Sequence, residues 1–355
     1  MADQGAQESQ GLPAEVVAKI DETVAGLSAT RRKRKTIEGY ATAADVQSYT
    51  AKQTIPSLHS ASPSGITSIA VSDVQEGVFL TGGNDKIVQL YDRGEDKVIA
   101  TLKGHTKRVN TVALRESPAG PTLALSASAD KTARVWAHDS ASGEYAPKQT
   151  IKLHKGEVTG LTVHPSSTLM CLGSLDRTYS VHDLTTFSSI FQSAPGEDPY
   201  TSASFHVDGM LIGFGTPNSA IQIFDIRSGA LAATLKPESG TPFSVSTLSF
   251  SENGYHLIAP GSNSTVAVWD LRKQSLASTI DLGPDFKINQ VLCDKSAGYF
   301  GIAGNEGGRI IKHKTWEEIA RFEEGGEMSS LAFGPLGKEI WGVTGREVRV
   351  YGSPA

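Results

Sequence analysis

Polar and apolar positions along this chain recur with a long period. A β-rich line, closing as a rule on an aromatic and then a polar residue, appears seven times: IVQLYD, TARVWA, TYSVHD, IQIFD, VAVWD, RIIK and VRVYG. The copies end at Asp92, Ala137, Asp183, Asp225, Asp270, Lys312 and Gly352, so they stand 40 to 46 residues apart. That spacing is one propeller blade. Upstream of each copy lies an alternating segment: ITSIAVSD, VNTVALRE, VTGLTVHP, TSASFHVDG, VSTLSFSENG, INQVLCDKSAG and MSSLAFGPLG. Apolar residues at every second position give a strand two different faces. A turn and a second strand such as VFLTGG or TLALSAS follow, with Gly82, Gly83, Gly173, Gly213, Gly215, Gly261, Gly304 and Gly342 in or beside them. Small residues there let blades converge on an axis.

In the second period, Gly104-His105, Ser126, Asp130 and Trp136 fall where WD repeats place a hydrogen-bonded His, Ser, Asp and Trp set. Ser, His and Asp also suggest a hydrolase triad. The set recurs, however, as His59, Thr81, Asp85 and Tyr91 in the first period, and a catalytic site need not repeat. His154 and Asp176 keep two members in the third, and Asn218 and Asn263 stand near the Asp position in the fourth and fifth. The fold predicted is all-β: a seven-bladed WD-repeat β-propeller with four-stranded antiparallel blades over residues 51–355. The seventh period has only three strands of its own, near 328–333, 340–343 and 347–351. A ring removes that open edge by pairing chain ends, and residues 53–57 are the expected closing strand, Pro56 being tolerable at an edge.

Residues 1–50 read as an arm. Pro13 and Glu15, followed by Val16, Val17, Ile20, Val24 and Leu27, predict an amphipathic helix over 13–30. Its apolar stripe either packs on the propeller, or frays in solution, or docks on a neighbouring subunit. Arg31, Arg32, Lys33, Arg34 and Lys35 form a basic run, a nuclear-import signal or a phosphate contact when it is more than a solvated charge run. Residues 36–50 read as a linker.

Composition narrows the function classes. The 355 residues carry a net charge of −5, so any contact with nucleic acid must be local. Cys171 and Cys293, the only cysteines, are far apart, which suits a reducing compartment and two free, mostly buried thiols. They also provide no zinc spacing, and no metal or cofactor is expected. No run of 18 apolar residues occurs, and no membrane partner is expected. Gly334-Pro335-Leu336-Gly337-Lys338 is two spacer residues short of a phosphate loop and reads as a hairpin turn.

Between the generic WD positions, LHSAS (58–62), LTGGNDKIVQLYD (80–92), IATLKGHTKRV (99–109), FHVDGMLIGFGT (205–216), FSENGYHL (250–257), VWDLRK (268–273) and KTWEEIARF (314–322) resemble the carboxy-terminal propeller of the pre-mRNA-processing factor 19 family. The arm, LPAEVVAKIDETVAGLSATRRKRK (12–35), resembles the segment that precedes that propeller. The resemblance implies a nuclear splicing scaffold that is also a ubiquitin ligase, with its activity in an amino-terminal U-box and a coiled coil that makes it a homotetramer. Neither segment is visible in residues 1–50, so this chain is expected to correspond to the part after the coiled coil and by itself neither to ubiquitinate nor to tetramerise. The partners implied are other splicing-complex proteins and ubiquitination substrates; RNA contact through the basic run is compatible with this. A generic WD adaptor, such as a chromatin reader or the receptor of another ligase, is the alternative, and an enzyme propeller is a remote third. The expected binding rim comprises Asn84, Lys86, Lys107, Arg108, Lys131 and Arg177, on the face of the turns that hold Asp85 and Asp130.

Overall fold

The computed structural model describes residues 11–32, 37–56, 58–62, 65–118, 120–237 and 242–354. Seven antiparallel sheets of four strands surround one axis, and the propeller read from the sequence is borne out. Blades one to six span 66–102, 109–151, 158–192, 202–235, 249–281 and 288–322, each with its strands in sequence order from the axis outward. Blade seven takes Met328–Phe333, Glu339–Thr344 and Glu347–Gly352 from the end of the chain. Its outer strand is Thr50–Ile55, antiparallel to the last, with Thr50 opposite Gly352 and Ile55 opposite Val348. This closing strand runs over 50–55 and not 53–57, because Pro56 has no N–H for the ladder and falls just past the end.

The inner strands do not alternate cleanly, and the reason bears on the whole ring. In five blades the second inner-strand residue is skipped in the pairing: Thr67, Asn110, Thr159, Asn289 and Ser329. A bulge re-aims its side chain. Here it reaches across the seam to a backbone carbonyl: Thr67 Oγ1 to Val109 at 2.6 Å, Asn110 Nδ2 to Val158 at 2.8 Å, Thr159 Oγ1 to Tyr200 at 2.6 Å, Asn289 Nδ2 to Met328 at 2.9 Å and Ser329 Oγ to Ile66 at 2.7 Å. Thr201 makes the same bond to Val245 at 2.7 Å without a bulge, and the remaining seam is joined from Val291 N–H to Thr247 Oγ1 at 3.1 Å.

Between adjacent blades the sheets bury apolar faces, as where Leu80 and Val88 meet Val109, Val112 and Trp136, or Phe79 meets Trp341 at 5.1 Å between ring centroids. The second-strand glycines belong to these seams. A Cβ on Gly82 would lie 2.6 Å from Val109, and one on Gly213 would lie 3.1 Å from Phe250. They admit the next blade's side chains one strand out from the axis. The axis itself is lined by inner-strand hydroxyl and amide residues and, in like measure, by apolar ones such as Ile69, Leu248 and Leu331, around a channel of about 660 Å³.

The arm is docked twice. Helix α1 (Ala14–Arg32) buries Ile20, with Leu12 just before it, against Tyr179, Phe214 and Ile226 of blades three and four, and Val16, Val17 and Val24 are half-buried beside them. Asp21 pairs with Arg227 at 2.9 Å. Of its two expected roles, the stripe therefore takes the first and packs on the propeller. Arg31 and Arg32 end the helix; Lys33, Arg34 and Lys35 lie outside the described residues.

The expected linker is corrected. Thr42 and Asp45 form a reciprocal capping box that starts α2 (Ala43–Gln47). Tyr40, Val46 and Tyr49 are buried with Phe322, Ile340 and Tyr351 of blades six and seven. Tyr49 Oη donates to Gly337 O at 2.9 Å, and Lys295 N–H donates to Tyr40 Oη at 3.2 Å. Three apolar anchors in a polar stretch are enough to hold it. Tyr40→Ala should cost about 3 kcal/mol and Thr42→Ala about 1 kcal/mol in urea unfolding, whereas a free linker would leave both near zero.

Candidate interaction face

One end of the ring carries the turns between second and third strands together with the loops that enter each blade. In blade one, His59 Nδ1 lies 2.9 Å from Asp85 and Nε2 lies 2.9 Å from Thr81 Oγ1. Asp85 also accepts Ser60 N–H at 2.8 Å and Ile87 N–H at 3.2 Å. Blade two repeats the arrangement, with His105 2.9 Å from Asp130 and 2.7 Å from Ser126. In blade three His154 meets Asp176 at 3.2 Å, but its Nε2 turns to Ser180 on the third strand, at 2.9 Å. The fourth aromatic member differs from the sequence-based set: Trp136 touches His105 edge-on at 6.1 Å, while the Tyr91 hydroxyl bonds Asp96. In blade four Asn218 Nδ2 bonds Asp198 at 2.5 Å, so an Asp–Asn pair stands where the His–Asp pair was.

His105 and Asp130 have the connectivity of a hydrolase triad but not its access. Ser126 and Thr81 are wholly buried, and no substrate carbonyl from solvent can reach their hydroxyls. Burial pushes the His105 pKa down, against the pull of Asp130. Burial also acts to raise Asp176, but hydrogen bonds from Thr178 and Lys155 outweigh it and bring the carboxyl to about 2. Asp130, likewise held low by hydrogen bonds from Thr132 and Thr106, and Asp176 are thus ionised anchors for their turns. Among the described residues, no three His, Cys, Asp or Glu converge as a metal-binding group.

The anchored turns have one consequence at the surface. The residue after each Asp is held left-handed: Lys86 and Lys131 at φ 72° and Arg177 at φ 69°. A non-glycine residue there carries about 1 kcal/mol of strain or more. All three are exposed and occupy the same position in consecutive blades. Lys107 is exposed beside them. Arg108 is exposed but pairs with Glu157 across the seam at 2.9 Å, at the mouth of the channel. Asn84 is half-buried against Gly65 and presents little surface. Lys155, missed in the sequence, joins the rim; it follows His154 as Thr106 follows His105, and its N–H caps Asp176 at 2.6 Å.

A ring of this architecture, with His–Asp pairs closing its turns, defines a WD-repeat propeller, and two family models agree. One described as "Nucleolar protein 10-like, N-terminal domain" matches residues 129–312, more than half of the chain, and one described as "WD domain, G-beta repeat" matches 96–137. The chain belongs to the WD-repeat propellers that these models describe, and within them it is similar to the WD-repeat portion of pre-mRNA-processing factor 19 proteins. It is 35% identical over 298 residues to "Pre-mRNA-processing factor 19 homolog 2" of Arabidopsis thaliana, covering 83% of this chain and 54% of that protein. To "Pre-mRNA-processing factor 19" of Oryza sativa subsp. japonica it is 31% identical over 355 residues, 97% of this chain and 65% of that protein. The Homo sapiens protein of the same name is 32% identical over 336 residues, 93% of this chain and 64% of its own length. The chain thus spans between about half and two thirds of these relatives.

The buried histidines make the face sensitive to acid. Burial holds His182, hydrogen-bonded to Ser180 at 2.8 Å, down to about 3, and His154 below its ordinary value. A depressed histidine pKa means that the unfolded chain takes up a proton first. Its share of stability is therefore complete above about pH 6.5 and is lost as the pH falls toward 3. Urea unfolding at pH 7 and pH 5 should show the loss, at up to about 1.4 kcal/mol per pH unit for each such histidine, and His182→Gln should remove about one proton from the slope.

Proposed function

We propose that this chain is a protein-binding scaffold of a splicing complex, working in the nucleus, and that blades one to three form its recruiting face. The observation that carries the reading is the likeness to pre-mRNA-processing factor 19 proteins along 97% of the chain, arm and propeller together. The nucleolar-type model covers only 129–312 and leaves out the arm. Rigid blades presenting loops and turns suit recognition without chemistry. Lys86, Lys107, Lys131, Lys155 and Arg177 give that face a basic rim, which favours an acidic surface on the partner. The basic run 31–35 serves as the import signal. In an intact protein of this family, with the U-box and coiled coil that the resemblance implies, the propeller brings partners and ubiquitination substrates to the ligase.

The test is capture from nuclear extract on the immobilised chain, read by mass spectrometry. Recovery of splicing-complex subunits supports the reading; recovery of an unrelated complex overturns it in favour of a generic WD adaptor. The triple variant Lys86→Gly, Lys131→Gly and Arg177→Gly separates binding from folding. Glycine is at ease at positive φ, so its melting temperature should hold or rise, while retention of those subunits falls at least about tenfold.

A further inference from the structure

Blade three departs from its neighbours on the recruiting face. The place before the anchoring Asp holds Asn84 in blade one and Ala129 in blade two, both half-buried, but Leu175 in blade three, 39% exposed. The place before the His holds Leu58, which is buried, then Gly104, then Leu153, 38% exposed. Two exposed leucines thus stand on one blade at places where blades one and two show none. Their backbone is fixed. Loop 152–157 is tied to turn 175–178 by His154 and Asp176 at 3.2 Å, by Lys155 N–H to Asp176 at 2.6 Å and by Leu175 N–H to Glu157 O at 2.9 Å. A Cβ on Gly156 would come within 2.6 Å of Asp176 N, so the loop lies directly on the turn.

The surface around the leucines is cationic. Lys155 and Arg177 stand two residues beyond them, in the same loop and turn. Arg108, paired with Glu157 across the seam at 2.9 Å, joins the loop of blade two and with it Lys107; Ala129 N–H donates to Arg108 O at 3.1 Å and joins the turn that holds Lys131. Lys107, Lys131, Lys155 and Arg177 are exposed, and among the described residues none of the four makes an ion pair. Unpaired cations on linked loops repel one another, and an anionic partner relieves that repulsion. RNA also carries negative charge, but single strands are held by stacking their bases on aromatic rings. The entering loops and turns of blades one to three contain no Phe, Tyr or Trp, and their histidines are buried. Leucines beside cations suit a protein partner instead, with an apolar centre and a charged margin.

We propose that the face over blades two and three recognises an acidic protein segment that carries a large aliphatic side chain. That side chain lies against Leu153 and Leu175, and carboxylates to either side of it meet Lys107, Lys131, Lys155 and Arg177. The inference rests on the reading of blades one to three as the recruiting face and adds what that face selects.

The test is selection from a random peptide library on the immobilised full chain, followed by fluorescence anisotropy of the enriched peptides after synthesis. Peptides in which Asp or Glu flank Leu, Ile or Met should be enriched. Exchange of the aliphatic residue for Ser in such a peptide, or Leu153→Ser with Leu175→Ser in the chain, should weaken binding at least about tenfold. Lys107→Glu with Lys155→Glu should do the same. Both chain variants change exposed side chains only, so their melting temperatures should hold. No enrichment, enrichment of peptides without acidic residues, or binding indifferent to the leucine pair overturns the proposal. An oligouridine probe that binds more tightly than the peptides, and is weakened by the lysine pair but not by the leucine pair, overturns it in favour of RNA. Capture from nuclear extract separates this proposal from the reading beneath it. If the leucine pair leaves capture of splicing subunits intact while the triple glycine variant loses it, the recruiting face stands and the leucine anchor falls. If an unrelated complex is captured but acidic aliphatic peptides are enriched, the splicing reading falls and the chemistry of the face stands.

Discussion

Seven separate sheets make a ring only if each inner strand is tied to the next, and at five of the seven seams the tie is a side chain re-aimed by a β-bulge. Near the axis, a backbone carbonyl at the entrance to six of the blades accepts a hydrogen bond from the blade before it. A buried carbonyl left without a donor costs about 1–3 kcal/mol, and Thr67, Asn110, Thr159, Thr201, Asn289 and Ser329 supply that donor from the preceding blade. The polar part of the channel lining is explained by these bonds. Its hydroxyls and amides are spent on holding blades together, and the apolar seams one strand further out add the bulk of the adhesion.

The same economy governs the repeat signature. A His–Asp pair stitches the incoming loop to the turn of its own blade, and it is kept in blades one to three and replaced by Asp198–Asn218 in blade four. The residue after the Asp is left-handed at Lys86, Lys131 and Arg177, as are Ser219 and Ser264 after the Asn of blades four and five, so the turn and not the His–Asp pair sets that conformation. In blades one to three the structural Asp and an exposed cation are therefore adjacent in sequence: the Asp accepts hydrogen bonds that fix the turn, and the next residue is an exposed Lys or Arg.

The arm shows how much of a propeller's stability can come from outside its repeats. Thr50–Ile55 closes blade seven, and α2 seals Tyr40, Val46 and Tyr49 over blades six and seven. The turn of blade six also reaches blade one through the Lys295–Asp73 ion pair. The last blade is thus clasped by residues that precede the first one. α1 meanwhile covers the outer strand of blade three, through Ile190 and Phe191.

The blade count, the strand order and the His–Asp pairs were legible in the sequence because each repeats with a period near 43 residues, and a repeated pattern is its own control. The polar residue at the second inner-strand position, Thr, Asn, Thr, Thr, Ser, Asn and Ser from blade one to seven, was equally visible. Its role was not, since the carbonyl it meets belongs to the next blade, 42 residues on from Thr67 and 48 on from Asn110. The docking of residues 37–49 was missed for a related reason. The capping box Thr42–Asp45 is a local signal and could have been read, but Tyr40 and Tyr49 look like ordinary loop aromatics until blades six and seven stand beside them. Local order comes from neighbours in the chain, so the sequence by itself determined the blades. Contacts between distant segments need the ring to exist first, so only the tertiary structure decided the seams and the clasp.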